Sequence, residues 1–352
     1  MNHIKNTQLM NLDFLRIVFT LIVIAYHFIR KLGIWNEGGG YVVEFFFVLS
    51  GFLIVYRFNP DMSVLTFLKK KIVRFIPIIA VSGIAVCFWI GRFNPDFWRN
   101  IFLIPVSEQL LVLVAWYINV LVWVSVFYFA LLKYITRPHA CLIIGVLTFM
   151  SLYMMIATNT WITDGHLGKE GTIGYVFSGN LLRGLAGIGV GCLLAQSMNL
   201  KDTEYAGKKM AILGYTLAEI CVFGWLLGAM YVHQLYIGPL ALLLGFTALI
   251  YLFVIQRGLV SRILNKPCYS QIARYTLCIY LMQEVIVRNI FPYLLNHYNH
   301  FVRMNQILTI GGTLLICVIV GIIVYYVIEK PITHYCNKST QLIQTQKREI
   351  NV

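Results

Sequence analysis

The stretch LDFLRIVFTLIVIAYHF, residues 12–28, decides how the whole chain is read. It is apolar enough to lie in lipid, yet it carries Asp13, Arg16 and His27. A run of about 18 or more predominantly apolar residues is the length needed to cross a bilayer core. Extended through Ile29 and Arg30, this run reaches that length. On a helix turning about 100° per residue, Asp13, Arg16, Thr20 and His27 fall within an arc of roughly 60°. Arg16 and His27 stand close to three turns apart, about 16 Å along that stripe. Ionisable side chains inside a span are expensive and mark function by default. The stripe is therefore the first place to look for chemistry.

Runs of this kind recur along all 352 residues, of which 59% are hydrophobic and only 12% charged. A soluble domain carries roughly a quarter charged residues, and this chain could not cover a water-facing surface with so few. That excludes a cytosolic enzyme, a disordered tail protein and a small disulfide-stapled secreted domain. The expected fold is all-α: a polytopic bundle of about ten transmembrane helices, near 12–30, 41–57, 72–91, 110–132, 140–158, 175–196, 211–231, 236–255, 272–294 and 307–328. Helices rather than strands follow because lipid-exposed backbone must satisfy its own hydrogen bonds within the segment.

The 28 Lys and Arg outnumber the 14 Asp and Glu, a net charge of +14. With the N-terminus inside, nineteen cations fall in cytoplasmic segments, seven outside, and Arg16 and Arg183 within spans. The asymmetry places both termini in the cytoplasm and explains the basic excess without nucleic acid. Residues 1–11 read as a cytoplasmic lead, 12–331 as one membrane-embedded domain and 332–352 as a cytoplasmic tail. No small-residue cleavage site follows the first span, so it reads as uncleaved. The eight cysteines are scattered, mostly in apolar runs, and form no metal-ligand spacing.

Ordered motifs then carry a resemblance. Leu12-Asp13-x-Leu15-Arg16, followed by ten residues and His27, resembles the opening signature of the acyltransferase-3 family. Glu44-Phe45-Phe46-Phe47-Val48-Leu49-Ser50-Gly51-Phe52-Leu53 is similar to its second-helix motif. The segment from Phe67 to Pro77 resembles its basic RxxR-x-x-P segment, with Lys71 where Arg is commoner. Trp116-Tyr117-x-x-x-Leu121 and Glu329-Lys330-Pro331 resemble its later motifs. In the ninth span Gln283 stands where members frequently have His. The resemblance implies a bacterial integral-membrane enzyme of the inner membrane that acylates sugars, chiefly by O-acetylation of cell-surface glycans. It also implies acetyl-CoA as donor, a glycan or lipid-linked sugar as acceptor, and no metal.

Acyl transfer from a thioester to a hydroxyl needs a base, and histidine suits that task near neutral pH. His27 is the one histidine well inside a span beside a polar stripe, so it is the expected general base, with Arg16 and Glu44 completing the catalytic group. Glu44, at the start of the second span, is the expected partner of His27. Arg16, Lys70, Lys71 and Arg74 are the expected donor-binding cations, because guanidinium and ammonium groups hold phosphate well. Ser50, Trp116 and Glu284 are candidates for contact with the acceptor. Arg183 and Glu219 either pair within the bundle or line its cavity. The glycine run from Gly184 to Gly191 reads as close helix packing rather than a nucleotide loop, because no strand precedes it. A transporter exporting a sugar or metabolite is the alternative from another class, since ten spans and buried charges fit it too. The sequence leaves the oligomeric state open.

Overall fold

The computed structural model describes residues 9–32, 38–104, 110–157, 179–198, 209–231, 239–298 and 305–336. Part of the expected N-terminal lead and most of the expected C-terminal tail lie outside these residues, as do His3, His166, His233 and His300. The described residues contain no strand. The longer helices are α1 (Met10–Lys31), α2 (Val42–Tyr56), α3 (Val64–Trp89), then α5 (Trp116–Tyr134) after a short α4 (Asp96–Ile101). They continue with α6 (Arg137–Ala157), α7 (Gly179–Ser197), α8 (Lys209–Tyr231) and α9 (Pro239–Ile255). Two short helices, α10 (Leu259–Ile263) and α11 (Pro267–Ala273), lead to α12 (Thr276–Val285), α13 (Phe291–His297) and α14 (Gln306–Val324).

Seven helical segments among the described residues are long and apolar enough to cross a membrane: Met10–Lys31, Gly38–Tyr56, Val64–Trp89, Leu113–Tyr134, Arg137–Ala157, Lys209–Met230 and Gln306–Cys336. The other three expected spans are helical where described but depart from the simple pattern. α9 has 17 residues, and α7 carries Arg183 amid its glycines. The ninth expected span is interrupted by a π-helical turn, Ile286–Ile290, that separates α12 from α13. That turn follows Gln283 and Glu284, and Pro292, with no N–H to donate, stands two residues beyond its end.

One boundary shifts with consequence for function. The third span, expected from residue 72, starts at Val64 because Ser63 caps it, its Oγ accepting from the Thr66 amide at 3.0 Å. Lys69, Lys70 and Lys71, outside the expected span, therefore stand on the same helix as Arg74.

The chain divides into two compact units. The first comprises Met1–Pro60 and Trp123–Thr276, the second Asp61–Val122 and Leu277–Val352. In the first unit α2 packs against α7, and α7 against α6. Glycines make the α2–α7 approach possible: a Cβ on Gly51 would overlap the Ile188 carbonyl, and one on Gly191 the Val48 carbonyl. This is the packing role read from the glycine run. α1 joins the core through Phe19, whose ring meets Phe45 at 4.4 Å and Phe246 at 5.4 Å. Its first turn has no side-chain cap of its own. Instead Asn265 Oδ1 accepts from the Met10 and Asn11 amides, while the Asn11 side chain donates to the Phe253 and Ser261 carbonyls. α1 is thus fixed in rotation, which aims its polar stripe.

In the second unit, α3 is held to α12 by Ser82, which donates to the Leu281 carbonyl at 3.1 Å. Gly321 of α14 lies against the backbone of Ile279.

Candidate active site

The polar face of α1 is half-buried and organised around Asp13. One carboxylate oxygen accepts from Arg16 at 2.9 Å, the other from the Ser270 hydroxyl of α11 at 2.6 Å. Thr20 turns its hydroxyl back onto the Arg16 carbonyl at 2.7 Å. The aspartate therefore holds Arg16 from one side, and α11 in turn holds the aspartate. His27, on the same face, is half-buried with the Tyr26 ring at 5.2 Å. Neither of its ring nitrogens has a hydrogen-bond partner among the described residues. Such an imidazole is open to a ligand's proton.

Glu44, the expected partner of His27, is engaged elsewhere. It is 2% exposed and accepts from Arg183 Nε at 2.7 Å and from a terminal nitrogen at 2.9 Å. That second nitrogen also donates to the Gly40 carbonyl at 3.3 Å. The pairing follows from the α2–α7 contact: glycine-mediated approach brings Glu44, in the first turn of α2, level with Arg183 in the first turns of α7. A planar guanidinium takes both carboxylate oxygens at once. A Cβ on Gly39 would strike the Tyr26 side chain, so the turn that Arg183 clasps lies directly on the neighbour of His27. Neither Glu44 nor Arg183 hydrogen-bonds His27 among the described residues; their pair reaches the glycine turn that packs on Tyr26. Glu219, the other charge left open by sequence, accepts from the Val260 and Ser261 amides at the start of α10, a structural cap.

Ser50 is half-buried on α2, one residue before the glycine that admits α7. In the second unit, Lys69 and Lys70 are exposed, Lys71 is half-buried with its ammonium 5.0 Å from the Phe67 ring centroid, and Arg74 meets Glu329 at 3.7 Å. Glu329 closes a π-helical turn, Tyr325–Glu329, and is nearly buried; its other oxygen accepts from the Cys278 thiol at 3.0 Å. Arg74 remains 44% exposed beside this carboxylate.

Trp116 begins α5 after the 3-10 turn Leu113–Ala115. That turn is fastened by α12: Glu284 accepts from the Val114 amide at 3.2 Å, and the Tyr280 hydroxyl donates to the Val114 carbonyl at 2.9 Å. The second Glu284 oxygen accepts from Arg288 at 2.8 Å. Glu284, read from sequence as a candidate for acceptor contact, has both oxygens engaged within the protein. Ser270, Tyr280 and Asn265 were not singled out by sequence, because a lone Ser, Tyr or Asn near a helix end carries no spacing signal. No group of three or more His, Cys, Asp or Glu among the described residues is placed to hold a metal ion.

Comparison with known proteins agrees with this arrangement of motifs. The acyltransferase domain model of the acyltransferase-3 family matches residues 10–326, from the first turn of α1 to the last π-helical turn. The chain is 31% identical over 97 residues to the peptidoglycan O-acetyltransferase OatA of Listeria monocytogenes. That match covers 26% of this chain and 15% of the relative. No solved structure matches the chain significantly. With nearly the whole membrane-helical region matched, the chain belongs to the acyltransferase-3 family.

Proposed function

We propose that the chain is a multi-pass O-acyltransferase of the bacterial cytoplasmic membrane, both termini cytoplasmic. It moves an acetyl group from acetyl-CoA to a hydroxyl of a cell-surface polysaccharide or its lipid-linked precursor. The observation that carries this reading is His27: a half-buried imidazole with neither nitrogen hydrogen-bonded among the described residues, on the helix face where Asp13 holds Arg16. His27 takes the proton of the acceptor hydroxyl as its oxygen attacks the thioester carbonyl. The carbon–sulfur bond breaks, and the proton passes from His27 to the departing thiolate, so the histidine returns to its neutral form. Glu44, locked to Arg183, acts by holding the Gly38–Gly40 turn against Tyr26 rather than by accepting a proton from His27.

Lys70, Lys71 and Arg74 supply the charge for the donor's phosphates, and Arg16 offers its free side to the acyl-donor end. Ser50 and Trp116 stay as acceptor-side candidates, whereas Glu284 acts through the turn before Trp116. The relative's name makes peptidoglycan the first acceptor to try. Purified protein given acetyl-CoA and soluble peptidoglycan fragments is expected to consume thioester and place acetyl groups on the glycan. Glycan flux across vesicles without thioester consumption would instead favour a transporter.

A further inference from the structure

One buried side chain in the second unit has no hydrogen-bond partner among the described residues. Gln283 is 1% exposed, and neither its amide oxygen nor its amide nitrogen is hydrogen-bonded among the described residues. Its neighbours on α12 are all engaged: Thr276 with the Ala273 carbonyl, Cys278 with Glu329, Tyr280 and Glu284 with Val114. At about 100° per residue, Gln283 points about 40° from Ile279, which packs on α14, and about 60° from Tyr280, which reaches the turn before α5. It therefore faces the seam between those two packed sides. An amide buried with both ends unpaired is costly, and a Leu or Met of similar size would cost less there.

We infer that Gln283 binds a hydroxyl of the acyl acceptor, an inference that rests on the O-acyltransferase reading. The chemistry selects the ligand class. A primary amide offers a donor and an acceptor side by side, and a neutral sugar hydroxyl offers the matching acceptor and donor. A phosphate offers acceptors alone and leaves the amide's own acceptor unmatched. Glu284 and Tyr280 fix the face from which Gln283 projects, so the amide is presented rigidly by a helix already tied at two points.

The test compares the full-length wild type with Gln283→Leu and Gln283→Met in detergent or nanodiscs. Soluble peptidoglycan fragments serve as the hydroxyl ligand and acetyl-CoA as the donor. Two readouts are taken: the rise in Tm caused by the fragments alone, and the acceptor and donor KM values. Both variants are expected to fold with Tm equal to or above wild type, because an unpaired amide is gone. They should lose the Tm rise caused by the fragments and show an acceptor KM raised about tenfold or more, with donor KM changed less than about twofold. Fragments that stabilise the variants as well as the wild type would overturn the inference and leave Gln283 as a structural or water-bound amide. Absence of thioester consumption by wild type would count against the O-acyltransferase reading, while the Tm readout would still decide whether Gln283 binds a hydroxyl ligand. Failure of the fragments to stabilise wild type would overturn the inference as well.

Discussion

Arg183 and Glu44, from α7 and α2, form a two-pronged ion pair with nitrogen–oxygen distances of 2.7 and 2.9 Å, the arginine 14% and the glutamate 2% exposed. Removing one partner of a buried pair leaves the other charge uncompensated, at a cost of about 3–5 kcal/mol. Glu44→Gln and Arg183→Gln are expected to lower Tm sharply. Arg183→Lys should rescue poorly, because an ammonium cannot make both bonds. The double variant Glu44→Gln/Arg183→Met should recover part of the loss, measured by thermal unfolding in detergent.

The α2–α7 contact makes a second prediction. Gly191→Ala places a methyl group against the Val48 carbonyl and the Phe52 amide, both backbone, which cannot swing aside. The helices must separate, at a cost of about 1–3 kcal/mol. Gly214→Ala, on α8 with open space around it, serves as the control and should leave Tm unchanged or slightly raised.

Ser270 and Asp13 set the position of Arg16. Ser270→Ala removes one hydrogen bond to the carboxylate, and Asp13→Asn also weakens its pull on the guanidinium. Both are expected to raise the donor KM severalfold while leaving the acceptor KM nearly unchanged, with Asp13→Asn the larger effect. A change confined to acceptor KM would contradict the role given to Arg16.

The basic turns of α3 predict a donor preference. Lys71→Ala and Arg74→Ala should raise KM for acetyl-CoA by about tenfold while hardly affecting acetyl-pantetheine, which lacks the nucleotide phosphates. Glu329→Gln, which takes one charged partner from Arg74, should show a smaller rise of the same kind. Equal effects on both donors would remove the phosphate-binding role from these residues.

Much of this was legible in the sequence, for identifiable reasons. The apolar runs located the helices, because lipid leaves the backbone no other way to satisfy itself. The 60° arc of Asp13, Arg16 and His27 follows from helical periodicity alone, and α1 presents it as a half-buried face. Partners across sequence distance were not legible. Nothing in the spacing ties Glu44 to a residue 139 positions away, Arg74 to Glu329, or Asp13 to Ser270. The start of α3 differs because hydropathy places the boundary after the three lysines, whereas the Ser63 cap places it before them. The π-helical break in the ninth span was equally hidden, since an apolar run with Gln283 and Glu284 in it reads as continuous.

The central claim is that His27 is the base of an acetyl transfer, and one measurement reaches it most directly. Wild type and His27→Ala, purified at matched Tm and oligomeric behaviour, are given acetyl-CoA and soluble peptidoglycan fragments, and acetyl groups on the glycan are counted by mass spectrometry. Loss of a positioned general base should slow transfer by about 100-fold or more, with the Tm rise caused by the fragments kept. Transfer by His27→Ala at a rate near wild type would contradict the account.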